Sequence, residues 1–322
     1  MPPEFSVIIP TRGDSAHLRD ALRSALDPRG DLEALVVHDR RAGEPALPGD
    51  LQSDPRVRIL RAPGPGPGAA RNAGIAEASG RWVALLDDDD LWLPQHLSWS
   101  RETLARHPEA VLVACAAFLF ADPSPGSGGA PPADPSSLPR FDARVAGATI
   151  GRRELLLANP ILTPTVVLAR DRLGPEDRFS ADLRVMEDYD LWLRLARRHS
   201  LAYDSRPSVI VRRRPGSARG DLRAMAEAAL EVLAREERRG LPAGVLSRRE
   251  LRARQGRLWH DLAYACLAGD DLPAARRALA ESIPRLPLLL KNYFYVLAGA
   301  LPGRLRRRWF ARGGRLVPAR QA

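Results

Sequence analysis

Four aspartates in succession, Asp87 to Asp90, follow the apolar run VALL at 83–86. Carboxylates set that close repel one another unless a cation or a set of donors lies among them. At a strand end they form a hard, oxygen-rich site of the kind that suits Mg2+ or Mn2+, which takes one or two protein carboxylates plus substrate phosphates. An isolated acidic run has a plainer account, as a turn opening a helix at Pro94 whose dipole favours negative charge. A second acidic group, Glu187, Asp188 and Asp190, stands at the start of an apolar-faced helix. Dipole and capping preferences account for it, and so does a general base taking a proton from a substrate hydroxyl. Asp188 precedes the apolar stripe and is expected to face inward, Asp190 to face solvent.

The elements that must position these groups read as alternating strands and helices. FSVIIP (5–10), EALVVH (33–38), RVRIL (56–60), WVALL (82–86) and VLVACAAFLF (111–120) are compact apolar runs. Between them SAHLRDALRSAL (15–26) carries Leu18, Leu22, Ala25 and Leu26 on one face, with Ser15 as N-cap. GAARNAGIAEAS (68–79) is helical up to Gly80, and a further helix opens at Pro94. This alternation predicts an α/β fold with a doubly wound, mostly parallel sheet. PTVVLA (164–169), LAYD and SVIVRR (208–213) add short strands, and EDYDLWLRLARRH (187–199) a helix.

Ligands of open parallel sheets bind beyond the carboxyl ends of the strands. Pro10, Thr11 and Arg12 follow the first strand, His38 and Asp39 the second, and the four aspartates the fourth. If these strands are parallel, all three groups share one sheet edge. That convergence favours a ligand site over the plain acidic turn.

Residues 122–139, DPSPGSGGAPPADPSSLP, form a proline-, glycine- and serine-rich excursion, either a tolerated insertion or a flap. From Asp221 on the chain reads as helix after helix, an all-α C-terminal region. The expected domains are 1–216 and 217–322, the second containing one hairpin similar to a tetratricopeptide repeat at 262–287.

With 322 residues, 45% of them hydrophobic, the chain can bury a substantial core. Cys115 and Cys266 are far apart in apolar surroundings and suggest neither disulfides nor a metal motif, so a cytoplasmic location is expected. MPPEFSVIIP lacks the pattern of a signal peptide. The net charge is +10, and Lys291 is the only lysine among 49 basic residues. An arginine-biased genome explains this, as does affinity for phosphates or an anionic membrane. No basic helix with interleaved stacking aromatics points to nucleic acid.

Over residues 5–217 the motifs resemble the family 2 glycosyltransferases, nucleotide-sugar-dependent enzymes of the GT-A fold. VIIPTR is similar to the family's first strand and turn, and EALVVHD to its second strand. GAARNAGIAEASGRWVALLDDDDLWLP is similar to its central signature, and MEDYDLWLRLA to its Glu-Asp segment. The resemblance implies inverting transfer from a nucleoside-diphosphate sugar, UDP-linked or similar, to a hydroxyl of a glycan or lipid-linked acceptor in cell-surface polysaccharide synthesis. It implies Asp188 as catalytic base and Asp39 on the nucleobase. Pro10, Thr11, Arg71, Asp87, Asp88 and Arg214 would bind the donor, and Asp89 with Asp87 the Mn2+ or Mg2+. Arg71 and Asn72 also have a plain reading as polar residues packing a loop at a helix start. Asp90 would steer the turn toward Pro94.

Two departures stand out. His38-Asp39-Arg40-Arg41 replaces the family's Asp-Asp-Gly-Ser, and RRRPGS (212–217) puts Arg214 where relatives carry a histidine. Arginine cannot ligate a metal but can pair with phosphate oxygens. A nucleotidyltransferase or a catalytically inactive binding module are the alternatives. PTRGDSAHL lacks the glycine-rich loop of the first, and the intact Asp87, Asp89 and Asp188 argue against the second. The apolar stretch 286–301 followed by the arginine-rich 301–315, with Leu305, Trp309 and Phe310, implies peripheral membrane contact through the C-terminal helices, at the inner face of the membrane.

Overall fold

The structure is a computed structural model that describes residues 2–13, 16–26, 30–38, 47, 49–122, 129–142, 147–213, 221–241 and 244–304. The chain divides into two compact units, residues 1–155 with 159–215, and residues 156–158 with 216–322.

In the first unit β1 (Phe5–Thr11) and β2 (Leu32–His38) are buried at every position. Strands covered on both faces read as continuous apolar runs, which is why the sequence marks them. Between them lies α1 (Leu18–Ala25), which buries Leu18, Ala21, Leu22 and Ala25. His17, not Ser15, occupies its N-cap position; Ser15 lies outside the described residues. After the short α2 (Gly49–Gln52) come β3 (Val57–Arg61), α3 (Pro67–Glu77) and β4 (Trp82–Leu85). Next are β5 (Leu91–Trp92), α4 (His96–Arg106), β6 (Ala110–Ala121), β7 (Arg140–Phe141) and α5 (Arg152–Leu157). The unit is completed by β8 (Val167–Ala169), α6 (Glu187–Leu195) and β9 (Ser200–Arg213).

The strands form one sheet in the order β3-β2-β1-β4-β8-β6-β9-β5, with β7 on β6. Pairing is parallel across β3, β2, β1 and β4, and again between β6 and β9. It is antiparallel where the short β5, β7 and β8 join. Helix α3 crosses β1 at close range. A Cβ on Gly74 would stand 2.6 Å from Ile8 Cγ2, so glycine is what allows this approach.

Three expected elements take a different form. LAYD and SVIVRR are one strand, β9, whose register against β6 slips between Cys115 and Ala117. The extra residues include Pro207, which cannot donate to a ladder. PTVVLA is a strand only from Val167; Thr163–Thr165 is a 3-10 turn, closed by the Thr165 hydroxyl donating to Leu162 O at 2.7 Å. The helix expected at Pro94 begins at His96, with Gln95 as N-cap.

At the amino edge of the sheet Glu33 is buried and fully engaged. Its Oε1 accepts from the Ser6 hydroxyl and from Ser79 N and Oγ, each at 2.7 Å, and its Oε2 from Arg58 at 3.1 Å. Burial raises the carboxyl's pKa, but the Ser79, Ser6 and Arg58 donors outweigh it and hold the pKa below the ordinary value. A depressed folded pKa adds stability above the unfolded value of about 4.3, and that stability is lost as pH falls through the folded pKa. Glu33→Gln is therefore expected to cost about 2 kcal/mol near neutral pH. The gap from wild type should narrow below about pH 4, as urea melts across pH would show. A gap constant down to pH 2 would refute the ionic account.

The second unit holds α7 (Leu222–Arg238), α8 (Arg248–Ala268), α9 (Leu272–Ser282) and α10 (Leu290–Gly299). Its core gathers Ala226, Leu262, Ala263, Cys266, Leu267, Ala275, Ala278, Leu279, Tyr295 and Ala298. Helix α8 starts with a reciprocal capping box between Ser247 and Glu250. Asp271 caps α9 by accepting from Ala274 N, and also pairs with Arg223 at 2.9 Å. Both cysteines are buried and unpaired. Among the described residues no helix is long and apolar enough to cross a membrane.

Candidate active site

The parallel register places the ends of β1, β2 and β4 on one sheet edge. Thr11 pairs with His38, and Ile8 with Leu85. Beyond β4 the four aspartates form a turn in which Asp90 N donates to Asp87 O at 3.1 Å. The Thr11 hydroxyl donates to Asp88 Oδ2 at 2.6 Å and accepts from Gly13 N at 3.0 Å, fastening the two strand ends together. Pro10 is buried inside β1 opposite Val37, so its side chain is part of the sheet. Asp39 and Arg214, each directly beyond a strand end, lie outside the described residues.

The aspartates are not equivalent. Asp87, Asp88 and Asp89 are partly exposed, whereas Asp90 is buried. Asp90 Oδ1 accepts from Arg212 N at 2.7 Å, which ties the turn to β9. Arg212 is itself buried, its guanidinium 5.5 Å from the Phe120 ring centroid and 4.0 Å from Asp122 Oδ2. His17 Nε2 lies 3.4 Å from that same carboxylate oxygen. Asp90 thus holds β9 as well as closing the turn.

Helix α6 brings the second acidic group. Met186, just before it, sits at φ 63 and ψ 16, a left-handed conformation that is uncommon for a bulky residue. After it the three acids diverge. Glu187 points into the protein. Asp188, partly exposed, accepts from the Thr163 hydroxyl at 2.7 Å and from Tyr189 N at 2.6 Å. Asp190, expected in solvent, is fully buried; its Oδ2 accepts from Ser180 at 2.6 Å and from Arg194 at 2.9 Å. The expectation fails because α6 is buried nearly all round rather than on one stripe.

Arg71 joins the two acidic groups. Its Nη1 donates to Glu187 Oε1 and its Nη2 to Asp87 Oδ1, both at 2.7 Å. The guanidinium is buried and lies 5.4 Å from the Phe179 ring centroid. Burial works against its charge, but Asp87 and Glu187 outweigh that, so its pKa is raised. Burial pushes the Glu187 carboxyl up; Arg71 opposes this and Asp188 adds to it. The resemblance implies Arg71 on the donor, and the plain reading makes it a loop-packing residue. Each terminal nitrogen gives one of its two N–H groups to a carboxylate, so Arg71 also holds Asp87 in place. Next to it Asn72 exchanges two 2.8 Å hydrogen bonds with the Phe179 backbone, pinning the segment that leads to α6.

Sequence reasoning missed Thr163 and the inward turn of Glu187. No local pattern marks Thr163, and Glu187 differs from its acidic neighbours only in a partner 116 residues away. Among the described residues no three His, Cys, Asp or Glu side chains converge as a metal cage. Two carboxylates on one turn still suit a hard cation that completes its shell with phosphates and water.

Residues 6–125 match the profile described as Glycosyl transferase family 2. The succinoglycan biosynthesis protein ExoO of Rhizobium meliloti (strain 1021) is 40% identical over 98 residues, 30% of this chain. The chain spans 28% of that relative's length, well under two thirds. Among solved structures, S. aureus TarS 1–349 is similar with a TM-score of 0.58, covering 97% of this chain and 91% of that one at 15% identity. The mannosyltransferase PcManGT from Pyrobaculum calidifontis, in complex with GDP-Man and Mn2+, gives 0.54 with 97% and 85% covered at 19% identity. At such identities the likeness speaks for the fold, and the sequence match speaks for the family. Residues 6–125 are thus similar to glycosyl transferase family 2, and the fold is of the GT-A type.

Proposed function

We propose that the protein transfers a sugar from a nucleoside-diphosphate sugar to a hydroxyl acceptor, with inversion, in the synthesis of a bacterial cell-surface polysaccharide. The observation that carries this reading is the joining of two acidic groups through Arg71 at the carboxyl edge of the sheet. One group, the Asp87–Asp89 turn, suits a nucleotide diphosphate. The other presents a lone, oriented carboxylate, Asp188. Supporting the polysaccharide role is the likeness to ExoO, a succinoglycan biosynthesis protein.

In this reading Asp188 takes the acceptor proton as the oxygen attacks the anomeric carbon. Thr163 and Tyr189 N each occupy one lone pair of its two oxygens, fixing the carboxylate plane while leaving others to accept the proton. The sugar passes through an oxocarbenium-like state. The diphosphate leaves readily, so no second carboxylic acid is needed. Mn2+ or Mg2+, held by Asp89 and Asp87, would offset the charge developing on that leaving group. Thr11 and Asp88 fix the donor end of the sheet. Asp39 is assigned to the nucleobase. Arg214, one residue past β9, is assigned to the diphosphate oxygens. The acceptor is a glycan or lipid-linked glycan. Two buried cysteines without a disulfide support work in the cytoplasm.

Calorimetry with UDP and GDP, with and without Mn2+, tests the donor site. The expected result is binding of one nucleotide that strengthens about tenfold with Mn2+. In Asp89→Ala that enhancement should vanish while metal-free binding stays. No binding of either nucleotide would overturn the proposal. A screen of nucleotide sugars for slow hydrolysis then names the donor without knowledge of the acceptor.

A further inference from the structure

The amphipathic order of α10 is inverted. Leu290, Tyr293, Phe294 and Leu297 follow the i, i+3, i+4, i+7 spacing of one helical face, about 100° wide. All four are exposed, at 70%, 44%, 58% and 67%, and the stripe is extended by Leu288 at 91% and Leu301 at 39%. The opposite face, Asn292, Tyr295 and Ala298, is the buried one. Its polar member is held inside, with Asn292 Oδ1 accepting from Ser282 at 3.2 Å and facing His260 Nδ1 at 2.8 Å. The helix therefore spends its one amide inward and turns its large apolar side chains outward. Soluble monomers rarely expose so continuous an apolar surface without a partner for it.

The charge around the stripe says what that partner is. From Ser282 to Ala322 the sequence carries nine basic residues, Arg285, Lys291 and seven arginines from Arg304 on, and no acidic one. Lys291, in the first turn of α10, and Arg304, five residues past its end, are exposed. Arg285 pairs with Glu281 and Lys291 lies near Asp261, so the unbalanced charge comes from the arginines from Arg304 on. Apolar side chains beside such an excess of cations match the interface of a bilayer with anionic headgroups, where buried apolar area and electrostatic attraction add. A second copy of this chain would have to bring an equally cationic segment against this one. No helix of the described residues is fit to span the bilayer, so the contact is in-plane.

We propose that α10 docks this protein on an anionic phospholipid surface, with the Leu290–Leu297 stripe lying in the interface and Lys291 and Arg304 toward the headgroups. This stands apart from the transferase reading, because binding to lipid needs neither donor nor turnover.

Flotation of the full chain with vesicles tests it. Recovery on phosphatidylglycerol-rich vesicles is expected to exceed that on pure phosphatidylcholine about tenfold and to fall as salt is raised. Leu290→Ser/Leu297→Ser, both at exposed positions, should lose about tenfold in partitioning with unchanged circular dichroism and melting. Phe294→Ser should lose less, in the same direction. Equal recovery of wild type and the double variant would overturn the proposal, as would recovery indifferent to lipid charge. Failure of the wild type to float, with a dimer in sedimentation that the double variant disperses, would overturn it in favour of a second copy as occupant.

Discussion

Asp188→Asn is expected to bind nucleotide as wild type does and to lose about 10^3-fold in turnover, within the span general-base removal produces. The amide keeps the shape of the carboxylate: its Oδ1 can still accept from Tyr189 N, and its NH2 can donate to the Thr163 hydroxyl, which turns to accept, so the fold around α6 should be unmoved. What it cannot do is take a proton. The loss should appear in kcat and leave the nucleotide dissociation constant within about twofold, because the proton moves only in the transition state. Donor hydrolysis gives the readout before any acceptor is known, since water also needs its proton removed. Unchanged hydrolysis in Asp188→Asn would show that the base is another group. Weakened nucleotide binding with unchanged turnover would show that Asp188 belongs to the donor pocket.

How much of this site is legible in the sequence follows the range of the interactions. β1, β2 and β4 are read directly because burial on both faces leaves an unbroken apolar run, and the Asp87–Asp90 cluster then falls at a strand end by counting. Residue type alone cannot divide the cluster. Asp90 looks like Asp89 until β9, more than a hundred residues on, delivers Arg212 N to it. Asp190 looks like a solvated helix-start acid because its burial depends on Ser180 and on how α6 is covered. β9 reads as two fragments because its polar middle, Asp204 to Ser208, breaks the apolar pattern while the backbone continues. Thr163 carries no local signal at all. Short-range patterning shows where chemistry sits; the fold decides which side chains do it.

Arg71→Met is the variant expected to damage both stability and chemistry, and the two losses are separable. In the native protein one buried guanidinium compensates Asp87 and Glu187. Removing it leaves Glu187, whose carboxyl burial already pushes up, with no cation among its hydrogen-bond partners. Loss of one partner of a buried pair costs about 3–5 kcal/mol. Adding Glu187→Gln should recover most of that, since a neutral amide tolerates the buried position. Turnover should not recover with it. Asp87 would still lack the donor that fixes its Oδ1, and the Asp87–Asp89 turn would meet the diphosphate in a spread of orientations. Arg71→Lys should fall between, because a single ammonium offers a point charge in place of a planar fork to two carboxylates. Melting temperature and donor hydrolysis measured across the single and double variants settle the matter. A double variant that regains both stability and rate would reduce Arg71 to a structural ion, and one that regains stability alone would leave it as the residue that aims Asp87.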